Sequence, residues 1–433
     1  MPLRLDASAS DFETRFAAYL ETVREEASEV DEAAMEIVAR VARDGDAALL
    51  EYTARFDGLT VKAEGLRFTG REIDAAVSAC PKEVLAAIDM AATRIEAFHA
   101  RQRPEGYAYD DGVGNRLGLR WRPVASAGLY VPGGKAAYPS SVLMNAIPAR
   151  AAGVPRLVMV VPTPHGELTP AVLAAARRVG VDEIYRVGGA QAVAALAYGT
   201  ATIRPVDVIV GPGNAYVAAA KRAVFGRVGI DSIAGPSEIL VVADAANDPD
   251  WIAIDLLSQA EHDPAARSTL ITDDANFAEK VAKSVETALQ SLPRAEIAGA
   301  SWRDHGAIIV VPKLSMAPAL VDRIAPEHLE LAVAEPAALA AAVKNAGAIF
   351  LGRHSPEAVG DYVAGPNHVL PTSGAARYAS GLGVLDFMKR TTLIDCRPEG
   401  IAAIGPAAVT LARAEGLEAH ARSVAVRLKG GGK

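Results

Sequence analysis

Four strings between residues 124 and 225 decide the fold: Gly128-Leu-Tyr-Val131, Leu157-Val-Met-Val-Val161, Glu183-Ile-Tyr-Arg-Val187 and Asp207-Val-Ile-Val210. Each is short and apolar, and each is followed by a helix-like stretch, at 141–152, 170–179, 190–198 and 215–225. Strands that alternate with helices need crossover connections, which implies a parallel sheet covered on both faces. A second series begins at 239–242 and continues through 269–272, 307–311, 329–333 and 348–351. The pattern predicts an α/β protein of two doubly wound, incomplete Rossmann-like modules.

Outward from these series the chain reads as helical. Phe12, Phe16 and Leu20, then Ala34, Ile37, Val38 and Val41, recur at helical spacing, and 83–100 is an alanine-rich helix. These early helices are expected to pack on the second module. Residues 407–413 and 417–426 read as C-terminal helices, and 430–433 as a frayed tail. The expected division is an N-terminal helical extension (1–24), one α/β domain from 25–128 with 238–380, a second from 129–237, and a C-terminal tail (381–433). No fixed-period repeat occurs.

Bulk properties exclude several classes. The 433 residues exceed what one core holds. A formal charge of −8, with Lys and Arg scattered, argues against a nucleic-acid partner. No apolar run approaches the ~20 residues of a membrane span, and residues 1–10 lack a basic-then-apolar leader. Two cysteines, Cys80 and Cys396, cannot build a disulfide framework, which suits a reducing cytosol. A soluble cytoplasmic protein is expected.

The strand ends carry the first chemical signal. Tyr130-Val-Pro-Gly-Gly134, Gly188-Gly-Ala-Gln191 and Gly211-Pro-Gly-Asn214 are glycine-rich turns, and each brings a polar or aromatic side chain: Tyr130, Gln191, Asn214. Ligands of open α/β sheets bind at such edges, so the three turns outline a cofactor cleft, although glycine also serves tight turns without a ligand. The dinucleotide fingerprint G-x-G-x-x-G is missing; residues 112–118 begin with two suitably spaced glycines but have no strand before them and no helix after.

Further along, Gln259 and His262 lie three apart at a helix end and can point at one ion; a histidine there also caps a helix dipole. Glu327 and His328 set a carboxylate beside an imidazole, a pairing that can divide acid–base work near neutral pH. Asp361, in Gly360-Asp-Tyr362, is a metal ligand or a turn residue. Glu415 and His420 are separated by about 140° on a helix, so either a helix starts between them or they reach different parts of one ligand.

In their order along the chain these strings closely resemble the histidinol dehydrogenase family. They include Gly128-Leu-Tyr-Val-Pro-Gly-Gly134, Val187-Gly-Gly-Ala-Gln191, Gly211-Pro-Gly-Asn214, Gly235-Pro-Ser-Glu238 and Gln259-Ala-Glu-His262. Pro326-Glu-His-Leu329, Gly360-Asp-Tyr362, Asn367-His-Val-Leu-Pro371 and the Glu415–His420 pair complete the match, which covers nearly the whole chain. The resemblance implies zinc, one ion per subunit, held by Gln259, His262, Asp361 and His420. It implies Glu327 and His328 as proton acceptors, and NAD met by Tyr130, Gln191 and Asn214. It implies substrate contacts from Ser237, Gln259, His262, His328, Asp361, Glu415 and His420. It further implies a homodimer in which the tail, with Glu415 and His420, acts in the partner's site.

The implied reaction is a four-electron oxidation of L-histidinol through L-histidinaldehyde to L-histidine, with two NAD, the last step of histidine biosynthesis. Cys80 and Cys396 fall outside every motif, so water added to the aldehyde, with Glu327 as base, is expected rather than a thiol route. His328 is the expected base for the hydroxyl. Two alternatives stand beside this reading. One is a dehydrogenase on the same scaffold for another polar alcohol, such as a sulfonated diol; the other is a non-catalytic NAD- or metal-binding module.

Overall fold

A computed structural model describes residues 1–22, 28–133, 138–233 and 235–429. The chain opens with β1 (Leu3–Asp6); β2 (Tyr107–Asp110) and β3 (Asn115–Pro123) follow a run of helices. The first module then contributes β4 (Ser126–Tyr130), β5 (Arg156–Val160), β6 (Glu183–Tyr185), β7 (Val208–Val210) and β8 (Gly229–Ile230). The second contributes β9 (Glu238–Ala243), β10 (Arg267–Thr272), β11 (Ala307–Val310), β12 (His328–Ala332) and β13 (Ala348–Leu351), and β14 (Met388–Cys396) comes last.

Both modules are parallel sheets with one shared topology. The first runs β6-β5-β4-β7-β8, and the second β1-β11-β10-β9-β12-β13. Numbered within each module, the five strands stand in the order 3-2-1-4-5, with β1 added at the far edge of the second. The order reverses between β4 and β7 in one sheet and between β9 and β12 in the other. Strands such as β4, β9 and β10 are buried along their whole length, as expected when helices cover both faces.

Helices Pro139–Ala152, Pro170–Arg178 and Lys82–His99 cover one face of the first sheet. Helices Gly189–Tyr198, Ala215–Val224, Ser28–Asp44 and Asp46–Asp57 cover the other. The second sheet has Pro249–Ala260, Ala275–Leu289 and Ala295–His305 on one face, and Phe12–Thr22 and Ala317–Ile324 on the other.

This packing corrects one expectation. Of the early helices only Phe12–Thr22 lies on the second module; those between residues 28 and 99 lie on the first. An amphipathic stripe such as Ala34, Ile37, Val38 and Val41 reports an apolar face but not which sheet will cover it. A three-stranded antiparallel sheet, β14-β3-β2, was also not foreseen. It pairs β14 with β3 along nine residues and leads out to helices Pro398–Ala414 and Glu418–Lys429, which pack on each other. Gly134 and 430–433 lie outside the described residues, as do 23–27. No helix among the described residues is long and apolar enough to cross a membrane.

Candidate active site

The chemistry-bearing residues of the second module gather at the amino ends of β9 and β12, where the strand order reverses. β9 begins at Glu238 and β12 at His328, and His328 is in register with Ile239. This neighbourhood makes one residue the holder of two side chains. The Glu238 N–H donates to Glu327 Oε2 at 2.9 Å, and the Glu238 carbonyl accepts from His328 Nδ1 at 3.0 Å. A carbonyl can only accept, so the proton sits on Nδ1 and Nε2 carries a lone pair. Just upstream, Ala325 has φ +53°, a left-handed residue that ends helix Ala317–Ile324 and turns the chain into Glu327. Such a conformation is uncommon outside glycine and worth notice beside reactive groups.

The facing wall is helix Glu357–Tyr362. His328 Nε2 lies 3.8 Å from Glu357 Oε1 and 3.8 Å from Asp361 Oδ1. One donor atom from each of the three falls within 4.8 Å of the others, a grouping able to hold a metal ion. Helix Pro249–Ala260 ends beside them, where Ser258 Oγ donates to Glu357 Oε2 at 3.2 Å. Gln259 is buried on that helix, and His262 follows within reach of the Glu357 charge. Ser237, next to Glu238, is half-buried, and its carbonyl accepts from the Arg267 N–H.

Four buried atoms here have no hydrogen-bond partner among the described residues: Glu238 Oε2, Gln259 Oε1, His328 Nε2 and Glu357 Oε1. Unpartnered polar atoms in an interior are costly and call for an explanation. A cation or a polar substrate answers it. Oxygen and imidazole donors without thiolate suit zinc, and burial lowers the pKa of His262 and keeps the ring in the neutral form a metal requires.

Burial also sets the acid–base character. It pushes Glu327 well above the usual carboxylate range, and the nearby Glu238, Asp361 and Glu357 charges add to the effect against the Glu238 N–H. It raises Asp361 in the same way, with Glu357 adding. His328 is pushed below the ordinary imidazole value by the same desolvation. Burial therefore raises the proton affinity of the Glu327 carboxyl and lowers that of the adjacent His328 imidazole.

The first module presents its carboxyl edge. Tyr130 ends β4, and its buried hydroxyl accepts from the Gly189 N–H at 3.0 Å. Gln191, in the first turn of helix Gly189–Tyr198, is buried with Oε1 unpartnered. Asn214 is exposed and caps helix Ala215–Val224 through the Val217 N–H at 3.1 Å. The three stand at the ends of β4, β6 and β7 and span the reversal of strand order, the position expected of a cofactor cleft. A polar thread joins the two edges: Ser141 Oγ is 3.4 Å from His368 Nε2, and His368 Nδ1 donates to the Asp361 carbonyl at 3.0 Å.

A family model described as histidinol dehydrogenase matches residues 20–428. The chain belongs to the histidinol dehydrogenase family. A histidinol dehydrogenase from Rhodospirillum rubrum is 67% identical over 432 residues, covering 100% of each chain. One from Rhizobium meliloti is 62% identical over 99% of each. The crystal structure of histidinol dehydrogenase from Elizabethkingia anophelis is 36% identical, with a TM-score of 0.93 over 99% of this chain and 98% of that one. The resemblance carried by the short motifs is thereby borne out over the full length.

Within this histidinol dehydrogenase fold one chain does not assemble every expected group. Glu415 ends helix Pro398–Ala414, and His420 lies exposed on helix Glu418–Lys429. Gly416, with φ +75°, separates the two, so a new helix starts between them as one reading allowed. That helix packs chiefly on its predecessor, not on the Glu327–His328 wall. Conversely, two carboxyl groups central to the site were not singled out in the sequence. Glu238 stood in a quoted motif without a role, and Glu357 stood in none; only its place four residues before Asp361, one helical turn, signalled it.

Proposed function

We propose that the chain oxidises L-histidinol through L-histidinaldehyde to L-histidine in two successive hydride transfers, as a cytoplasmic homodimer with one zinc ion per subunit. The observation that carries this reading is the His328 tautomer. With Nδ1 committed to the Glu238 carbonyl, Nε2 is an unpartnered, buried proton acceptor, and Glu327 beside it is a second one held for proton uptake by burial. Two oxidations of one carbon need two proton acceptors, and here they stand side by side.

Each step is then assigned to the chain's own groups. His328 Nε2 accepts the hydroxyl proton of the alcohol in the first oxidation. Glu327 accepts the proton of the water that adds to the aldehyde, after which the second hydride leaves. Neither cysteine competes as a nucleophile: Cys80 is buried with its thiol pushed up by desolvation, and Cys396 is exposed on β14. Burial shifts the two groups toward each other, Glu327 up from the usual carboxylate range and His328 down from the usual imidazole one.

Gln259, His262 and Asp361, with the partner's His420, would hold the zinc, whose positive charge would fix and orient the imidazole and amine of the substrate. Tyr130, Gln191 and Asn214 would bind NAD, the hydride acceptor in both steps. Ser237, Gln259, His262, His328, Asp361 and the partner's Glu415 and His420 would line the substrate. Exposure of Glu415 and His420 in one chain supports this shared arrangement. Burial of the aldehyde between steps also limits its escape. The test is NADH stoichiometry with purified protein, zinc and histidinol: two NADH per histidinol are expected. A single NADH, or turnover of a sulfonated diol but not of histidinol, overturns the reading.

A further inference from the structure

The turn Gly211-Pro-Gly-Asn214 leaves β7 at the reversal point of the first sheet, and Gly211 is buried there with φ +111°. A Cβ at Gly211 would overlap the Tyr130 carbonyl oxygen, so the turn is pressed against the end of β4. Its polar groups are held in an unusual way. The Gly211 N–H donates to Asp231 Oδ2 at 2.8 Å, and the Gly211 carbonyl accepts from Lys221 Nζ at 3.0 Å. Lys221 Nζ is in turn paired directly with Asp231 Oδ1. The two side chains are only 1% and 4% exposed. One glycine's donor and acceptor are thus each bound by a charge, and the charges bind each other.

A buried ion pair contributes little to stability over a well-packed apolar pair, because desolvation offsets the attraction. What an apolar pair could not do is satisfy both main-chain groups of a buried glycine that no ladder serves. Nor can the exposed Asn214 fix the turn, since its side chain makes one hydrogen bond, to the helix that follows. Lys221 lies on that same helix, and across the turn Asn145 Nδ2 donates to the Tyr130 carbonyl at 3.0 Å. Lys221 thus ties Gly211 to the helix that Asn214 caps.

We propose that the buried Lys221–Asp231 pair is a positioning device for the dinucleotide, setting the 211–214 turn in the shape that presents Asn214 and the start of helix Ala215–Val224 to the cofactor. This rests on the reading that Tyr130, Gln191 and Asn214 meet NAD. The pair touches no substrate; it acts through Gly211.

The test compares full-length, zinc-loaded parent, Lys221→Met and Lys221→Met/Asp231→Leu by calorimetric NAD titration and steady-state kinetics. The single variant strands a buried carboxylate and can fail to fold; the double variant removes both charges and keeps the test open. The double variant is expected to weaken NAD binding and raise the KM for NAD by about tenfold or more, with the KM for histidinol moving less than about twofold. NAD affinity equal to the parent's overturns the proposal. So does a uniform fall of all constants with the melting temperature, the mark of a merely structural pair. Asn214→Ala, measured alongside, separates the two ideas. If it leaves NAD affinity untouched, the cofactor edge is misplaced and the clamp loses its purpose with it. If it weakens NAD while the double variant binds normally, only the clamp is wrong.

Discussion

His328 Nδ1 donates to the main-chain carbonyl of Glu238 at 3.0 Å, across the seam between two neighbouring parallel strands. The bond uses no side chain of the partner, so the ring's tautomer is set by strand register. The same residue's N–H holds Glu327, and a slip of β9 against β12 would disarm both groups together.

The two bases should separate the half-reactions. Glu327→Gln can still accept from the Glu238 N–H but no longer takes a proton, so one NADH per histidinol with aldehyde retained is expected, against two for the parent. His328→Asn should slow histidinol oxidation about 10²–10⁴-fold, the usual range for a general base. Equal slowing of both half-reactions by Glu327→Gln, with histidinol and with supplied histidinaldehyde, would show that the roles are shared.

Metal removal should follow the donor set. Chelation should abolish turnover and added zinc restore it. His262→Ala should lower the zinc content found by elemental analysis, and not only the rate. Thoroughly metal-free protein at full activity would sink the assignment.

Exposure of His420 makes a mixing experiment decisive. Inactive His420→Ala and inactive His328→Ala proteins, re-associated together, should recover activity through hybrid sites that carry every parental group. Verified mixed dimers without activity would place His420 in its own subunit's site or in none.

Glu238 gives a stability prediction with a definite sign. Burial raises its carboxyl from 4.5 to about 7, so the folded chain favours the neutral form. That contribution is fully present below the ordinary value and is lost as pH rises through about 7. Glu238→Gln stays neutral and keeps an acceptor for the Ser373 N–H. It should be the more stable protein at pH 8, by up to about 3 kcal/mol, with the gap narrowing toward pH 5. Denaturant melts at both values check it; a variant less stable than the parent at pH 8 contradicts the argument.

The parts of the fold that were legible are those where one force dominates. Ile239–Ala243 and Leu157–Val160 are buried on both faces and read as strands from composition alone. β2, β3 and β14 did not, because Tyr107, Arg120, Lys389 and Ile394 are exposed and their pairing rests on main-chain bonds that leave no apolar signature. The site divides in the same way. Glu327, His328, Gln259 and His262 were visible because they adjoin or share a face. Glu357 had only its four-residue spacing from Asp361 to mark it, and its place 3.8 Å from His328 depends on how a separate helix packs. Main-chain roles such as that of Glu238 are invisible by nature, since any residue supplies an N–H and a carbonyl.

The outermost strand of the second sheet has a consequence for how the chain is made. β1 pairs in parallel with β11, Leu3 opposite Ala307, so β1 leaves the ribosome about 300 residues ahead of its partner and waits for it. At ~5–20 residues per second that delay is on the order of 15–60 s. Meanwhile the strands of the first sheet, contiguous between Ser126 and Ile230, can pair. Until β1 docks, β11 offers an open, apolar sheet edge, Ala307-Ile-Ile-Val310, of the kind that recruits strands from other chains. Docking of the four residues Leu3–Asp6, made long before, is what closes that edge.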